Sequence, residues 1–309
     1  MMVEHRQIAV EPRSRPAMRD AFVEAVLSAG GEIVPIDEAS ALIWADPLAA
    51  GDFPAIFAQG TKLEWIQLPY AGIETFTENL TSGYLWTCGK GVYADPVAEH
   101  VIALTLAGFR HLHTSIPATT WPTQEGRNLL GAHVVIIGAG GITESLLRLL
   151  EPWQTTVTVV RRRDLPVSGA TRTVTFAEMH AAIAEADVVV IAAALTDRTR
   201  GMVNAEFLDA MPSSAWLVNV ARGGHVVTAD LVDALRSGSI AGAALDVTDP
   251  EPLPDGHPLF TLFNCIITPH VGNTPEMGLP LITERVRRNV ANWLAGEPLI
   301  GAVDLEAGY

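Results

Sequence analysis

Four β-branched residues, Val134-Val135-Ile136-Ile137, run straight into Gly138-Ala139-Gly140-Gly141-Ile142-Thr143. Apolar residues then recur at Ile142, Leu146, Leu149 and Leu150, which is one face of a helix. A second β-branched run closes at Val160. Strand, tight turn, helix and strand make a βαβ unit, and the glycines have separate tasks within it. Gly138 permits the turn, and Gly140 lets the backbone approach a pyrophosphate. The helix start offers free N–H groups and a partial positive charge. The third glycine position holds Thr143, where helix and strand must still pack closely. This context raises the motif above a bare glycine pattern. Gly138, Gly140, Gly141 and Ile142 are the expected dinucleotide contacts.

The rest of the chain follows the same alternation of β-branched runs and helical spacing. This predicts an α/β fold with parallel sheets. Strands are expected at residues 7–10, 32–36, 41–44, 65–68 and 85–88. A second series is expected at 133–137, 156–160, 186–193, 215–220, 242–246 and 265–268. Asp95-Pro96 reads as an N-cap and first-turn proline ahead of a long apolar helix over 96–110. A last helix is expected over 279–294, with Arg285, Arg287 and Arg288 on its polar side.

Composition narrows the function classes. With 20 basic and 35 acidic residues the formal charge is −15, the reverse of a nucleic-acid footprint. No apolar run approaches a membrane span, and the N-terminus shows no signal-peptide pattern. Cys88 and Cys265 make neither a disulfide framework nor a metal spacing. His111 and His113 stand together without a third ligand, so no metal is expected. A reducing, cytoplasmic setting fits these features.

One local exception to the acidic balance is informative. A dinucleotide fold that takes NAD usually carries an acid for the ribose hydroxyls ~20 residues past the first glycines. Here that place holds Arg161, Arg162 and Arg163. An acid repels a 2′-phosphate, whereas a guanidinium binds it bidentately. Arg161 and Arg162 therefore point to NADP(H) over NAD(H), with NAD(H) kept as the alternative.

In an open parallel sheet, ligands bind beyond the carboxyl ends of the strands. Three ionisable residues follow such ends: Arg222, Glu251 and His270. Hydride addition to a 2-oxo acid builds negative charge on the carbonyl oxygen. A protonated His270 can donate to it, as general acids do for gains of ~10²–10⁴-fold. Glu251 would orient the imidazole and favour its charged form. Arg222 would hold the substrate carboxylate and polarise the carbonyl.

Residues 138–141, 217–224, 245–253 and 268–274 together resemble the D-isomer-specific 2-hydroxyacid dehydrogenases, and the likeness runs over nearly the whole chain. It looks most like the short glyoxylate/hydroxypyruvate reductase branch. The resemblance implies two Rossmann-like or flavodoxin-like domains with the active site in the interdomain cleft. It divides the chain into a discontinuous substrate domain, 1–98 plus 276–309, and a nucleotide domain, 99–275. It implies the catalytic roles of Arg222, Glu251 and His270, and a homodimer. Leu195, Val220 and Asp246 would then line the cofactor site. Ala71 and Gly72, within Tyr70-Ala71-Gly72-Ile73-Glu74, would meet the substrate, and Trp44 would lie over it. A non-catalytic nucleotide-sensing protein on the same fold is the alternative from another class.

Overall fold

The computed structural model describes residues 6–305. The chain divides into two compact units, one running up to Tyr93 and resuming at Pro275, the other covering Ala94–Thr274.

The first unit is built on five parallel strands: β1 (Gln7–Glu11), β2 (Glu32–Ile33), β3 (Ala41–Trp44), β4 (Trp65–Gln67) and β5 (Leu85–Thr87). Their spatial order is β2-β1-β3-β4-β5. Alternation along β1 and β3 sorts side chains to two faces. Ile8, Val10, Ala41 and Ile43 meet Phe22 and Val26 of the Pro16–Ser28 helix, and Ile282, Val286 and Val290 of the Pro275–Ala295 helix. Ala9, Leu42 and Trp44 face the other way, onto Phe53 and Phe76. Burying each of these large apolar side chains contributes ~1.5–3 kcal/mol. Arg285 of the last helix, expected on its polar side, is half-buried and donates to the carbonyls of Cys88 and Lys90 at 3.3 and 3.1 Å.

The second unit holds seven parallel strands: β6 (His133–Ile137), β7 (Thr156–Arg161), β8 (Arg172–Thr175), β9 (Val188–Ile191), β10 (Trp216–Asn219), β11 (Gly242–Leu245) and β12 (Cys265–Ile267). Their order is β12-β11-β10-β9-β6-β7-β8. The chain starts at β6, builds outward through β7 and β8, then returns to add β9 on the other side. That reversal between β6 and β9 is a topological switch point, where a crevice opens beyond the strand ends. Both faces of the sheet are covered, which explains why β9 and all of β6 after His133 are apolar.

Three local expectations change. β8 went unread, because Arg172-Thr173-Val174-Thr175 offers one apolar side chain and only pairs with β7 at the sheet edge. The expected strand at 32–36 keeps only Glu32–Ile33 in the ladder. The long helix begins at Ala94 and runs to Phe109, so Asp95 lies inside it and is not its cap. Its carboxylate instead accepts from Ser145 and, at 2.8 Å, from Arg148. The helix packs Ala98, Val101, Leu104 and Phe109 into the core of the second unit.

Candidate active site

The glycine turn sits at the switch point. Gly138 has φ +121°, and a Cβ there would lie 2.3 Å from the Ala192 carbonyl oxygen. Only glycine lets β6 end this close to the backbone that follows β9. Gly140 is different: a Cβ on it would meet nothing within 4 Å. It stands as N-cap of the Gly141–Leu150 helix, with no side chain capping the helix start. The first-turn N–H groups, including those of Gly141 and Ile142, have no intrahelical acceptor. Those features suit a pyrophosphate. Thr143 solves the packing problem in its own way. It is fully buried, and its hydroxyl donates to the Gly138 carbonyl at 3.0 Å. The side chain that replaces the third glycine thus ties the helix to the turn.

β7 extends one residue further than expected and ends on Arg161. The Arg161 guanidinium donates to the Leu165 carbonyl at 3.1 Å. Arg162 and Arg163 follow on exposed backbone. Leu195 follows β9 and Val220 follows β10, so both lie at carboxyl ends on the same sheet edge.

Arg222 is held by a turn that the sequence reading did not single out. Asn219, fully buried at the end of β10, accepts from the Ala221 N–H at 3.1 Å and donates to the Arg222 carbonyl at 2.9 Å. The Arg222 guanidinium donates to the Ala221 carbonyl at 2.7 Å. The next residue brings in the neighbouring loop. A Cβ on Gly223 would fall 1.9 Å from the Thr248 carbonyl oxygen, so the turn after β10 lies directly on the loop after β11. A buried asparagine within an otherwise apolar strand, Trp216-Leu217-Val218-Asn219, was the available signal.

Glu251 and His270 meet. Oε1 of Glu251 lies 2.7 Å from Nδ1 of His270. His270 has φ +53°, a left-handed backbone that is uncommon outside glycine. Asp246 enforces it. Its carbonyl accepts from the His270 N–H, and its carboxylate accepts from the N–H groups of Val271 and Gly272, each at 2.9 Å. Thr268 and His100 complete that carboxylate at 2.6 and 3.1 Å.

Asp246 follows β11 at the same strand edge, and its carboxylate is held within the protein. It is 3% exposed, and its acceptors are taken up by its own chain. Burial alone would raise its pKa. The hydrogen bonds from His100, Thr268, Gly272 and Val271 outweigh burial and bring it down to about 2. His100 comes from the Ala94–Phe109 helix. The sign of the linkage follows from the lowered value. The stability this carboxylate supplies is present above about pH 4 and is lost as the pH falls through about 2. Denaturant titrations of wild type and Asp246→Asn should differ by ~2 kcal/mol at pH 7, with the gap narrowing below about pH 4 and closing only as the pH falls through about 2.

The first unit corrects one expectation. Trp44 is fully buried, donates from Nε1 to the Asp46 carbonyl at 2.6 Å, and packs edge-on against Phe53 with centroids 4.9 Å apart. It is core, because both its ring and its N–H are already used. Ala71 is exposed and Gly72 half-exposed in a loop fastened from below. Gly89 donates to the Tyr70 carbonyl at 2.8 Å, and the Tyr93 hydroxyl donates to the Pro69 carbonyl at 3.0 Å.

The strand ends of the second unit thus gather an open glycine turn, a guanidinium and a carboxylate–imidazole pair. Residues 100–272 match the family described as D-isomer specific 2-hydroxyacid dehydrogenase, NAD binding domain. An uncharacterised protein of Corynebacterium melassecola is 42% identical over 84% of this chain and 88% of its own. The Homo sapiens protein named "Glyoxylate reductase/hydroxypyruvate reductase" is 35% identical over 67% of this chain and 66% of its own. A D-isomer specific 2-hydroxyacid dehydrogenase from Xanthobacter autotrophicus Py2, solved in complex with NADPH and MES, superposes with a TM-score of 0.85. It is 24% identical and covers 98% of this chain and 99% of its own. The chain belongs to the D-isomer specific 2-hydroxyacid dehydrogenases and is an NAD(P)-dependent oxidoreductase.

Proposed function

We propose that this protein reduces small 2-oxo acids of the glyoxylate and hydroxypyruvate kind, using NADPH in preference to NADH. The observation that carries the reading is the Glu251–His270 pair, 2.7 Å apart at the strand edge where Gly223 seats the Arg222 turn on the neighbouring loop. The 35% identical human reductase supports the substrate class.

Each residue has a task in this reading. The turn at Gly138, Gly140 and Gly141 receives the pyrophosphate. Bound nicotinamide supplies the hydride. Arg222 pairs with the substrate carboxylate and polarises the carbonyl. Glu251 takes the Nδ1 proton of His270 in a hydrogen bond, which fixes the ring and turns Nε2 toward the carbonyl oxygen. Nε2 then hands over the proton as negative charge develops. NADPH oxidation, followed by absorbance across a panel of 2-oxo acids, tests this. A chain that binds NADPH tightly and turns over none of them would instead be a nucleotide-sensing protein.

The cofactor choice rests on Arg161 and Arg162, which replace the acid expected of an NAD site. Arg161→Asp combined with Arg162→Ser should raise the Kd for NADPH by ~10-fold or more while leaving NADH within about twofold. Fluorescence titration with both nucleotides reads this directly. Equal effects on the two would remove the 2′-phosphate contact.

We also propose a homodimer in the cytoplasm. No described helix is long and apolar enough to cross a membrane. The segment 115–126 has little secondary structure, and its Trp121 is 90% exposed, an unusual exposure for the residue most favoured at interface centres. Sedimentation should give twice the 33.0 kDa chain mass, and Trp121→Ser should shift the distribution toward monomer.

A further inference from the structure

The Glu251–His270 pair does little to hold itself in place. His270 is 52% exposed and Glu251 42%, and an exposed ion pair adds little rigidity of its own. Its geometry must come from the backbone on which the two side chains stand. For His270 that support is Asp246. Glu251 rests on another one.

Glu251 lies in a short excursion between two buried side chains, Val247 and Leu253. Pro250 and Pro252 fall within it, and neither has an N–H to donate to a turn. Threonine hydroxyls serve the carbonyls instead. The Thr228 hydroxyl donates to the Asp249 carbonyl, and the Thr248 hydroxyl to the Pro250 carbonyl, both at 2.8 Å. Each contact joins one hydroxyl proton to one carbonyl oxygen and is complete in itself. The Thr248 carbonyl is packed so closely on Gly223 that a Cβ there would stand 1.9 Å away. The carbonyls of Thr248, Asp249 and Pro250, directly ahead of Glu251, are thus all engaged.

Of the two hydroxyls, that of Thr228 reaches across from another segment. Thr228 opens the Thr228–Ser237 helix, and a threonine near a helix start commonly turns its oxygen to the helix's own N–H groups. Here no side chain caps that helix, and the hydroxyl reaches the neighbouring loop. Its base is firm. Val227 donates to the Val203 carbonyl at 2.9 Å, and Leu231, Val232 and Leu235 of the helix lie in the core.

We propose that Thr228 is a positioning residue: its hydroxyl fixes the Asp249 carbonyl, and with it the backbone that aims the Glu251 carboxylate at His270. This rests on His270 acting as the proton donor, as set out above. Thr228 acts through Glu251, and Thr248 assists from within the loop.

Thr228→Val keeps the shape of the side chain and removes the hydroxyl, whereas Thr228→Ser keeps the hydroxyl. Asp249 is exposed, so water can serve its carbonyl in the valine variant and the fold is retained. Thr228→Val should lower kcat for glyoxylate ~3- to 10-fold, with Thr228→Ser within about twofold of wild type. The Kd for NADPH should not change in either. A double-mutant cycle with Glu251→Gln separates positioning from general support. Once the carboxylate is gone, Thr228→Val should lower kcat no further. Thr248→Val frees the next carbonyl and should behave alike in the same cycle, which covers a Thr228→Val protein that does not fold.

A full further loss in the Glu251→Gln background would overturn the proposal. So would a serine variant as slow as the valine one, or a lowered thermal midpoint with kcat unchanged. A crystal structure of Thr228→Val supplies a readout that needs no turnover. The 2.7 Å contact between Oε1 of Glu251 and Nδ1 of His270 should be lost in it, and its retention would overturn the proposal. If the wild type reduces no 2-oxo acid, the proton-donor reading fails, while that crystal structure still tests the link from Thr228 to the pair.

Discussion

Replacing His270 by alanine should lower kcat for glyoxylate reduction by ~10²–10⁴-fold, the usual worth of a positioned proton donor, while NADPH binds as before. The geometry separates these two outcomes. Nδ1 is committed to Glu251 at 2.7 Å, and the backbone at φ +53° is held by Asp246 rather than by the ring. Removing the imidazole therefore takes away the acid and leaves the loop. His270→Gln keeps a hydrogen-bonding side chain with no proton to give, and should fall almost as far. Glu251→Gln should fall less, since the ring remains and loses only its orienting carboxylate. Stopped-flow absorbance at saturating NADPH measures all three. Turnover near wild type in His270→Ala would mean that the proton comes from elsewhere and would end the proposed chemistry.

The second large effect is expected at a residue with no chemistry at all. Gly223→Ala would place a methyl group 1.9 Å from the Thr248 carbonyl oxygen. The obstacle is backbone, so no rotamer relieves it. The turn after β10 must lift from the loop after β11, and Arg222 moves with it. Overpacking of this kind costs ~1–3 kcal/mol. A displacement of about 1 Å at a positioning group is worth up to 10²-fold in rate. Denaturant midpoint and kcat/KM should therefore fall together. Gly140 offers the contrast, because a methyl group there meets open space. Gly140→Ala should fold with nearly unchanged stability and lose NADPH affinity instead. A Gly223→Ala protein with wild-type stability and rate would show that the two loops are not held together as described.

The nucleotide half of the fold could be read directly because its signals are local. β6 and β9 are short apolar runs, and the turn after β6 needs glycine for reasons of sterics that hold in any context. Arg222, Glu251 and His270 could be nominated as well. Parallel topology sends every strand end to one edge, so a chemically apt residue just past a strand is placed by the chain's order alone. β8 was missed, since one buried valine between polar residues carries no periodicity that a window can register.

Other features depended on contacts between residues far apart in the chain. Trp44 had the right composition for a ligand contact, and only its packing against Phe53 and its bond to the Asp46 carbonyl show that it is core. The resemblance implies a cofactor-site place for Asp246 and says nothing of what holds its carboxylate. Its four donors come from residues 100, 268, 271 and 272, and no one-dimensional pattern links the first of these to the others. The amino-acid sequence by itself determined the strand–turn–helix alternation and which reactive groups reach the ligand edge. Tertiary structure alone decided how those groups are held, because buried hydrogen bonds between distant residues are satisfied only after the chain has closed on itself.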